Sequence, residues 1–224
     1  MKRIVKENIF RTYLLDLGFV LSLGIFLILA RNKIGSYISQ MNLYLPSINS
    51  IDPNFSSIAA DFLINEANSI ANNMFILLLI IPVVVFLIYF IFQGLSFYYL
   101  KRERRYLIYF FVSSLLPYAL LMLLLTKGFN LPLILIFLLL SYLTFLSYLQ
   151  IREEGYLGLL KKSYAMFFVF FGYLMLWAIS LSLFLMAILK YTINDLSYFL
   201  FAGLGFLVLF GISYCKVVIV EKFS

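Results

Sequence analysis

The sequence predicts an all-α integral membrane protein: a bundle of six transmembrane helices with N- and C-termini in the cytoplasm and an interfacial helix in the first external loop. Three observations carry this prediction. Hydrophobic residues make up 64% of the 224 residues and charged residues only 12%, and a water-soluble chain of this size could not hide that much apolar surface. Several long runs contain no charged residue. Loops with many Lys and Arg residues alternate along the chain with loops that have few.

Runs without a charged residue mark the membrane spans. Five of them reach the roughly 20 residues that a helix needs to cross the hydrocarbon core. A sixth run, 12–30, carries only Asp16 and leads straight into Arg31 without a signal-peptide cleavage pattern. We therefore predict one polytopic membrane domain over residues 1–224. Its spans cover approximately 12–30, 74–99, 106–126, 130–149, 163–189 and 196–217.

The distribution of Lys and Arg predicts the orientation. With six alternating spans, 13 of the 17 basic residues fall on one side. They are Lys2, Arg3, Lys6, Arg11, Lys101, Arg102, Arg104, Arg105, Arg152, Lys161, Lys162, Lys216 and Lys222. The positive-inside rule places that side, and both termini, in the cytoplasm. The basic run at 101–105 is interpreted as an orientation anchor, so no nucleic-acid partner is predicted.

The first external loop, 31–73, is the only sizeable segment that we predict outside the spans. Its first half contains two prolines and is typical of irregular or interfacial chain. In its second half, apolar residues recur at helical spacing from Ile58 to Met74, which predicts an amphipathic helix on the outer leaflet or over the bundle. Asn54 begins an N-F-S sequon and is a candidate glycosylation site in an external loop.

Asp16 is the carboxylate that the predicted spans contain, and two interpretations of it stay open. An intramembrane carboxylate is by default a candidate site for an ion, a proton or a cationic substrate. Near the end of a span it also suits a structural role, pairing with Arg11, a cytoplasmic-loop base or another subunit. We favour the structural role because no second carboxylate lies deeper in the spans to share a proton.

Prolines and small residues predict how the helices bend and pack. Pro82 and Pro117 lie inside the second and third spans, where each removes a backbone donor and predicts a kink. Small residues four apart predict close helix approach, at Gly18 with Ser22, Ala178 with Ser182, and Gly211 with Cys215. Hydroxyl side chains on the third and fourth spans, including Ser114 and Thr144, predict interhelical hydrogen bonds. Tight external turns make hairpins of spans three and four, and of spans five and six.

No catalytic constellation is present in the sequence. The chain has no histidine and a single cysteine, which removes the usual general base, the commonest metal ligand and the Ser/His and Cys/His nucleophile pairs. We therefore predict no enzymatic activity, no metal and no cofactor.

Two function classes stay open. The first is a non-enzymatic scaffold, assembly or anchoring subunit of a membrane complex, and the scarcity of polar groups in the spans favours it. The second is a permease or transporter subunit for an apolar or lipid-like substrate. The predicted partners are the lipid bilayer and other membrane or peripheral subunits, and the sequence assigns no small-molecule substrate. Frequent Phe, Ile, Tyr and Asn indicate an AT-biased genome, and a small six-helix protein with its basic residues inside fits many prokaryotic membrane proteins. We therefore predict a prokaryotic plasma membrane.

Overall fold

The computed structural model describes residues 2–49, 57–101, 105–128, 130–149 and 156–223. Six α-helices account for nearly all of these residues. They are α1 (Lys2–Asn49), α2 (Ser57–Lys101), α3 (Arg105–Lys127), α4 (Leu131–Leu149), α5 (Tyr156–Thr192) and α6 (Tyr198–Phe223). A helix pairs its own peptide groups, so a lipid solvent stabilises helices even in segments rich in Phe, Ile and Val. The predicted all-α class is confirmed.

Five helices in the described part of the chain are long and apolar enough to cross a membrane. They correspond to Glu7–Tyr44, Asp61–Leu100, Leu107–Leu124, Met166–Tyr191 and Tyr198–Glu221. Helix α4 is a shorter apolar helix over Leu131–Leu146. Only 6% of the most apolar 18-residue stretch of α2 is buried inside the structure. The exposed surface of this stretch therefore requires an apolar solvent. The chain is membrane-integral, and the count of six spans remains a prediction.

Helices α1 and α2 extend well beyond the spans predicted for them, since they have 48 and 45 residues. Residues 31–49, the first part of the predicted loop, are helical and not irregular. Residues 57–73 are helical as expected, but they continue into the second span instead of forming a separate helix. Tyr37 of α1 and Ile70 of α2 line one small cavity, so these two segments lie side by side in the second unit.

Contacts divide the chain into two compact units. The first comprises Met1–Leu21 and Ile88–Ser224, and the second is Ser22–Leu87. In the first unit α5 packs along α6 and α3 along α4, which confirms the two predicted hairpins. The core of this unit is rich in aromatic rings. It consists of Phe97, Phe110, Tyr142, Phe145, Leu146, Met166, Phe170, Ile219 and Val220.

The turns of the two hairpins depend on residues that accept a left-handed backbone. Gly128 has a φ of 85° after α3, and Asn194 has a φ of 56° after α5. The amide of Asp195 donates to the carbonyl of Lys190 at 3.0 Å, and that of Asn194 to Tyr191 at 3.1 Å. These two bonds close the end of α5 in a Schellman arrangement, where Gly and Asn are the residues that best tolerate positive φ.

A hydrogen bond beside Pro117 links α3 to α4. A proline cannot donate to the carbonyl four residues earlier, which here belongs to Ser113. The Oγ1 of Thr144 in α4 donates to that carbonyl at 3.0 Å, which confirms a predicted interhelical hydrogen bond. Helix α3 continues through Pro117 and α2 through Pro82, and the kinks predicted there remain predictions.

Close helix approach occurs at one of the three predicted small-residue pairs. A Cβ added to Gly18 of α1 would lie 2.5 Å from the Phe92 ring of α2, so the glycine lets the two helices meet. At Gly211 an added Cβ meets no described atom within 4 Å. The other two pairs show no such approach among the described residues, since Gly211 is half-buried beside open space and Ala178 and Ser182 are exposed.

A buried ion pair as the candidate functional site

Asp16 forms a buried salt bridge with Lys216. The two residues lie on α1 and α6 of the first unit, and their side chains are 0% and 1% exposed. The distance from Asp16 Oδ1 to Lys216 Nζ is 2.5 Å. Charge burial of this kind is stable only when the charges are paired and hydrogen-bonded.

Helix α2 completes the pairing through Gln93 and Ser96. The Nε2 of Gln93 donates to Asp16 Oδ1 at 2.9 Å, and its Oε1 accepts from Lys216 Nζ at 2.8 Å. Lys216 also donates to Ser96 Oγ at 3.1 Å. The three protons of the ammonium group therefore have three acceptors, and the Gln93 amide bridges both charges.

Ser213 satisfies the second carboxylate oxygen. Its Oγ donates to Asp16 Oδ2 at 2.7 Å and lies 3.1 Å from the Leu209 carbonyl. Asp16 thus accepts from three donors, of which Ser213 and Lys216 belong to α6. Both are fully buried or nearly so. We refer to Asp16, Gln93, Ser96, Ser213 and Lys216 as the polar cluster.

Helical spacing explains why these side chains converge. Gln93 and Ser96 are three residues apart on α2, and Ser213 and Lys216 are three apart on α6, so each pair occupies one helix face. Gly18 lies within a turn of Asp16 and allows α1 to approach α2. The cluster therefore draws on three helices that are distant in the sequence.

Aromatic rings enclose the ammonium group of Lys216. Its Nζ lies 5.2 Å from the Phe97 ring centroid and 5.9 Å from that of Trp177. Trp177 in turn packs edge-on against Phe19, with centroids 5.6 Å apart. The faces of such rings attract a cation, and their bulk excludes water. Apolar aromatic side chains therefore surround the ammonium end of the polar cluster.

The structure distinguishes between the partners considered for Asp16. Arg11 pairs instead with Glu7, one turn away on the exposed face of α1. Lys216, which the charge count placed in the cytoplasmic flank, lies inside the first unit and supplies the opposite charge. A signal was available in the sequence, because apolar residues follow Lys216 in the segment 217–220. A charge with apolar residues on both sides is typical of a buried position.

The other sequence-predicted positions lie apart from the polar cluster. Pro117 belongs to the junction of α3 with α4, and Pro82 lies in the second unit. Asn54 lies outside the described residues. Among the described residues, His, Cys, Asp and Glu side chains form no group of three that could hold a metal ion.

A separate apolar groove runs between α5 and α6 of the first unit, with a volume of about 510 Å³. Its walls include Phe168, Tyr173 and Leu176 of α5 and Tyr214, Cys215 and Val218 of α6. The free thiol of Cys215 is partly buried there. The groove suits an apolar occupant.

The fold and the cluster define a class: an all-helical, membrane-integral protein with a closed charge pair in its core. No known family model, curated protein or solved structure matches this chain.

Proposed function

We propose that this chain is a non-enzymatic polytopic membrane protein that acts as a scaffold, assembly or anchoring subunit of a membrane complex. The observation that carries the proposal is the closed polar cluster. Asp16 and Lys216 pair with each other and form hydrogen bonds with neighbouring amide and hydroxyl groups. Such a network holds three helices in one arrangement, which suits a rigid subunit better than a carrier that must exchange partners during transport.

We further propose six spans with both termini in the cytoplasm, in a prokaryotic plasma membrane. The bias of basic residues to one side supports this orientation. The test is labelling of single cysteines with an impermeant reagent in a Cys215→Ser background. Asn54→Cys and Ile193→Cys should react from outside, and a cysteine in place of Glu103 should not. The reverse pattern would overturn the orientation, and labelling at both 54 and 103 would overturn the count.

The scaffold function is tested by purification of the tagged chain from its native membrane. We expect stoichiometric co-purification of further membrane or peripheral subunits. The double variant Asp16→Leu/Lys216→Met, which removes both charges together, should keep these partners because it strands no charge. A chain that purifies alone and moves a solute in vesicles would contradict the scaffold function.

A second candidate is a permease or transporter subunit for an apolar or lipid-like substrate. The groove between α5 and α6 favours it, because its volume and apolar walls suit a hydrocarbon chain. Gly172 lies on the groove and has open space around its Cα. Gly172→Leu should therefore narrow the groove and slow flux of a fluorescent lipid in vesicles, with Gly203→Leu as the control at a site outside the groove. A soluble ATPase among the co-purified proteins would also favour this candidate.

A further inference from the structure

Arg31 and Lys33 are exposed cations on α1 in the second unit. Neither pairs with a carboxylate in the part of the chain that the structure describes. The Nζ of Lys33 lies 5.0 Å from the ring centroid of Tyr37, one turn further along α1. The Lys33 side chain therefore extends towards the C-terminal part of the helix, away from the apolar run that ends at Ala30.

The packing of α1 against α2 shows what lies at the same height. Tyr37 and Ile38 of α1 line a cavity of about 110 Å³ with Ile70 and Met74 of α2. The helices run antiparallel in this unit, so equal steps back along α1 and forward along α2 stay level. Arg31 and Lys33 therefore lie level with about residues 79–81 of α2.

At that height α2 exposes large apolar side chains, including Leu79 at 58% and Ile80 at 47%. Exposed apolar surface of this extent needs hydrocarbon around it. The backbone at Arg31 and Lys33 is then within the membrane, and their long side chains must reach outward to the headgroups. The Lys33 side chain extends outward in this way, since it contacts Tyr37. Tyrosine is also enriched at the membrane–water boundary.

We propose that Arg31 and Lys33, which project from nearly opposite sides of α1, each dock the headgroup of an anionic phospholipid. Charge complementarity selects this occupant, since each cation lacks a carboxylate partner among the described residues and lies one turn above an exposed apolar side chain of α1, Ile28 below Arg31 and Leu29 below Lys33. Leu27 and Ile28 are exposed one turn below Arg31 and would contact the acyl chains. The site is separate from the polar cluster and goes beyond the proposed scaffold function.

The binding test uses the full-length protein and vesicles of phosphatidylcholine with or without phosphatidylglycerol. Arg31→Gln/Lys33→Gln should lower the enrichment of phosphatidylglycerol around the protein about fivefold per cation, and roughly 25-fold for the pair. The preference should also weaken as salt is raised. Lys127→Gln is the matched control, because it removes an exposed external lysine at the end of α3.

Each outcome decides for or against the site. An unchanged preference in the double variant, or an equal loss in Lys127→Gln, would overturn the proposal. Inorganic phosphate should not compete, because the acyl chains contribute to binding; displacement by phosphate would assign a free-anion site instead. Loss of a co-purified protein without any change in lipid would identify a protein partner and overturn the proposal. The melting temperature should stay unchanged because both side chains are exposed.

A depth measurement tests the same site independently. With an impermeant cysteine reagent, Asn73→Cys and Gln40→Cys should react and Leu79→Cys should be protected. Equal reaction at Leu79→Cys and Asn73→Cys would place this height of α2 in water and overturn the docking site. Neither the lipid-binding measurement nor the depth measurement depends on the subunits that the scaffold binds. Failure of the docking site would therefore leave the proposed scaffold function unaffected.

Discussion

The Asp16 carboxylate and the Lys216 ammonium group form a buried salt bridge although 200 residues separate them in the chain. The pair ties the first helix to the last, and Gln93 of the second helix bridges both charges. Removing one partner leaves a buried charge uncompensated, whereas removing both removes the need for compensation.

The first prediction follows from this asymmetry. Asp16→Asn and Lys216→Met should each lower the free energy of unfolding by about 3–5 kcal/mol, because each strands the opposite charge. Asp16→Leu/Lys216→Met should lose much less than the sum of the two single changes. Reversible unfolding in detergent measures these values in a double-mutant cycle. Additive losses would mean that the two charges do not interact.

The exposed pair on the same helix is the control for that cycle. Glu7 and Arg11 form a salt bridge one turn apart, with side chains 57% and 54% exposed. Glu7→Gln should change stability by about 0–1 kcal/mol, because water compensates exposed charges. A loss as large as that of Asp16→Asn would show that position on α1, and not burial, determines the effect.

The second prediction concerns the approach of α1 to α2. Gly18→Ala adds a Cβ 2.5 Å from the Phe92 ring and should lower the free energy of unfolding by about 1–3 kcal/mol. Gly211→Ala meets open space and should be neutral or stabilise by up to about 1 kcal/mol, since alanine favours helix. Thermal unfolding of the two variants makes the comparison. Phe92→Leu should restore part of the loss in Gly18→Ala, and equal behaviour of the two glycine variants would contradict the close contact.

The third prediction concerns the carbonyl that Pro117 leaves without a helical donor. Thr144→Val removes the hydroxyl group that donates to the Ser113 carbonyl and should lower the free energy of unfolding by about 0.6–1.7 kcal/mol. Thr126→Val is the control, because the Thr126 hydroxyl bonds only to carbonyls of its own helix in the described contacts. In a Pro117→Ala background the effect of Thr144→Val should shrink, and an unchanged effect would rule out this explanation.

The fourth prediction concerns the turn between α5 and α6. Hydrogen bonds from the Ser197 backbone amide and from Lys190 lower the pKa of Asp195 to about 2. A lowered folded-state pKa contributes stability that is present above the unfolded value of 3.8 and is lost as pH falls through about 2. Asp195→Asn should remove this part of the pH dependence of thermal unfolding. An Asp195 carboxyl that titrates at its ordinary pKa in a carbon-13 NMR experiment would contradict the prediction.

Composition and charge spacing could predict most of the fold. Apolar runs in α2, α3 and α5 are long enough to cross a membrane whatever they pack against, because lipid physics leaves helix as the form that pairs every peptide group. The hairpins also follow from local sequence, since few residues separate α3 from α4 and α5 from α6. The helical course of residues 31–49 could not be predicted, because Pro46 and the polar residues of that segment favour turns locally.

The sequence by itself determined the solvent of this protein, its helical class and Asp16 as the residue to explain. Only the tertiary structure decided which residues Asp16 contacts. Its partner depends on the rotation and register of α1, α2 and α6, and a turn of 100° per residue sends neighbouring side chains in different directions. Apolar periodicity constrains that rotation weakly in a membrane, where every face of a helix is apolar. Lys216 therefore resembled a flanking charge in the sequence, and packing alone placed it beside Asp16.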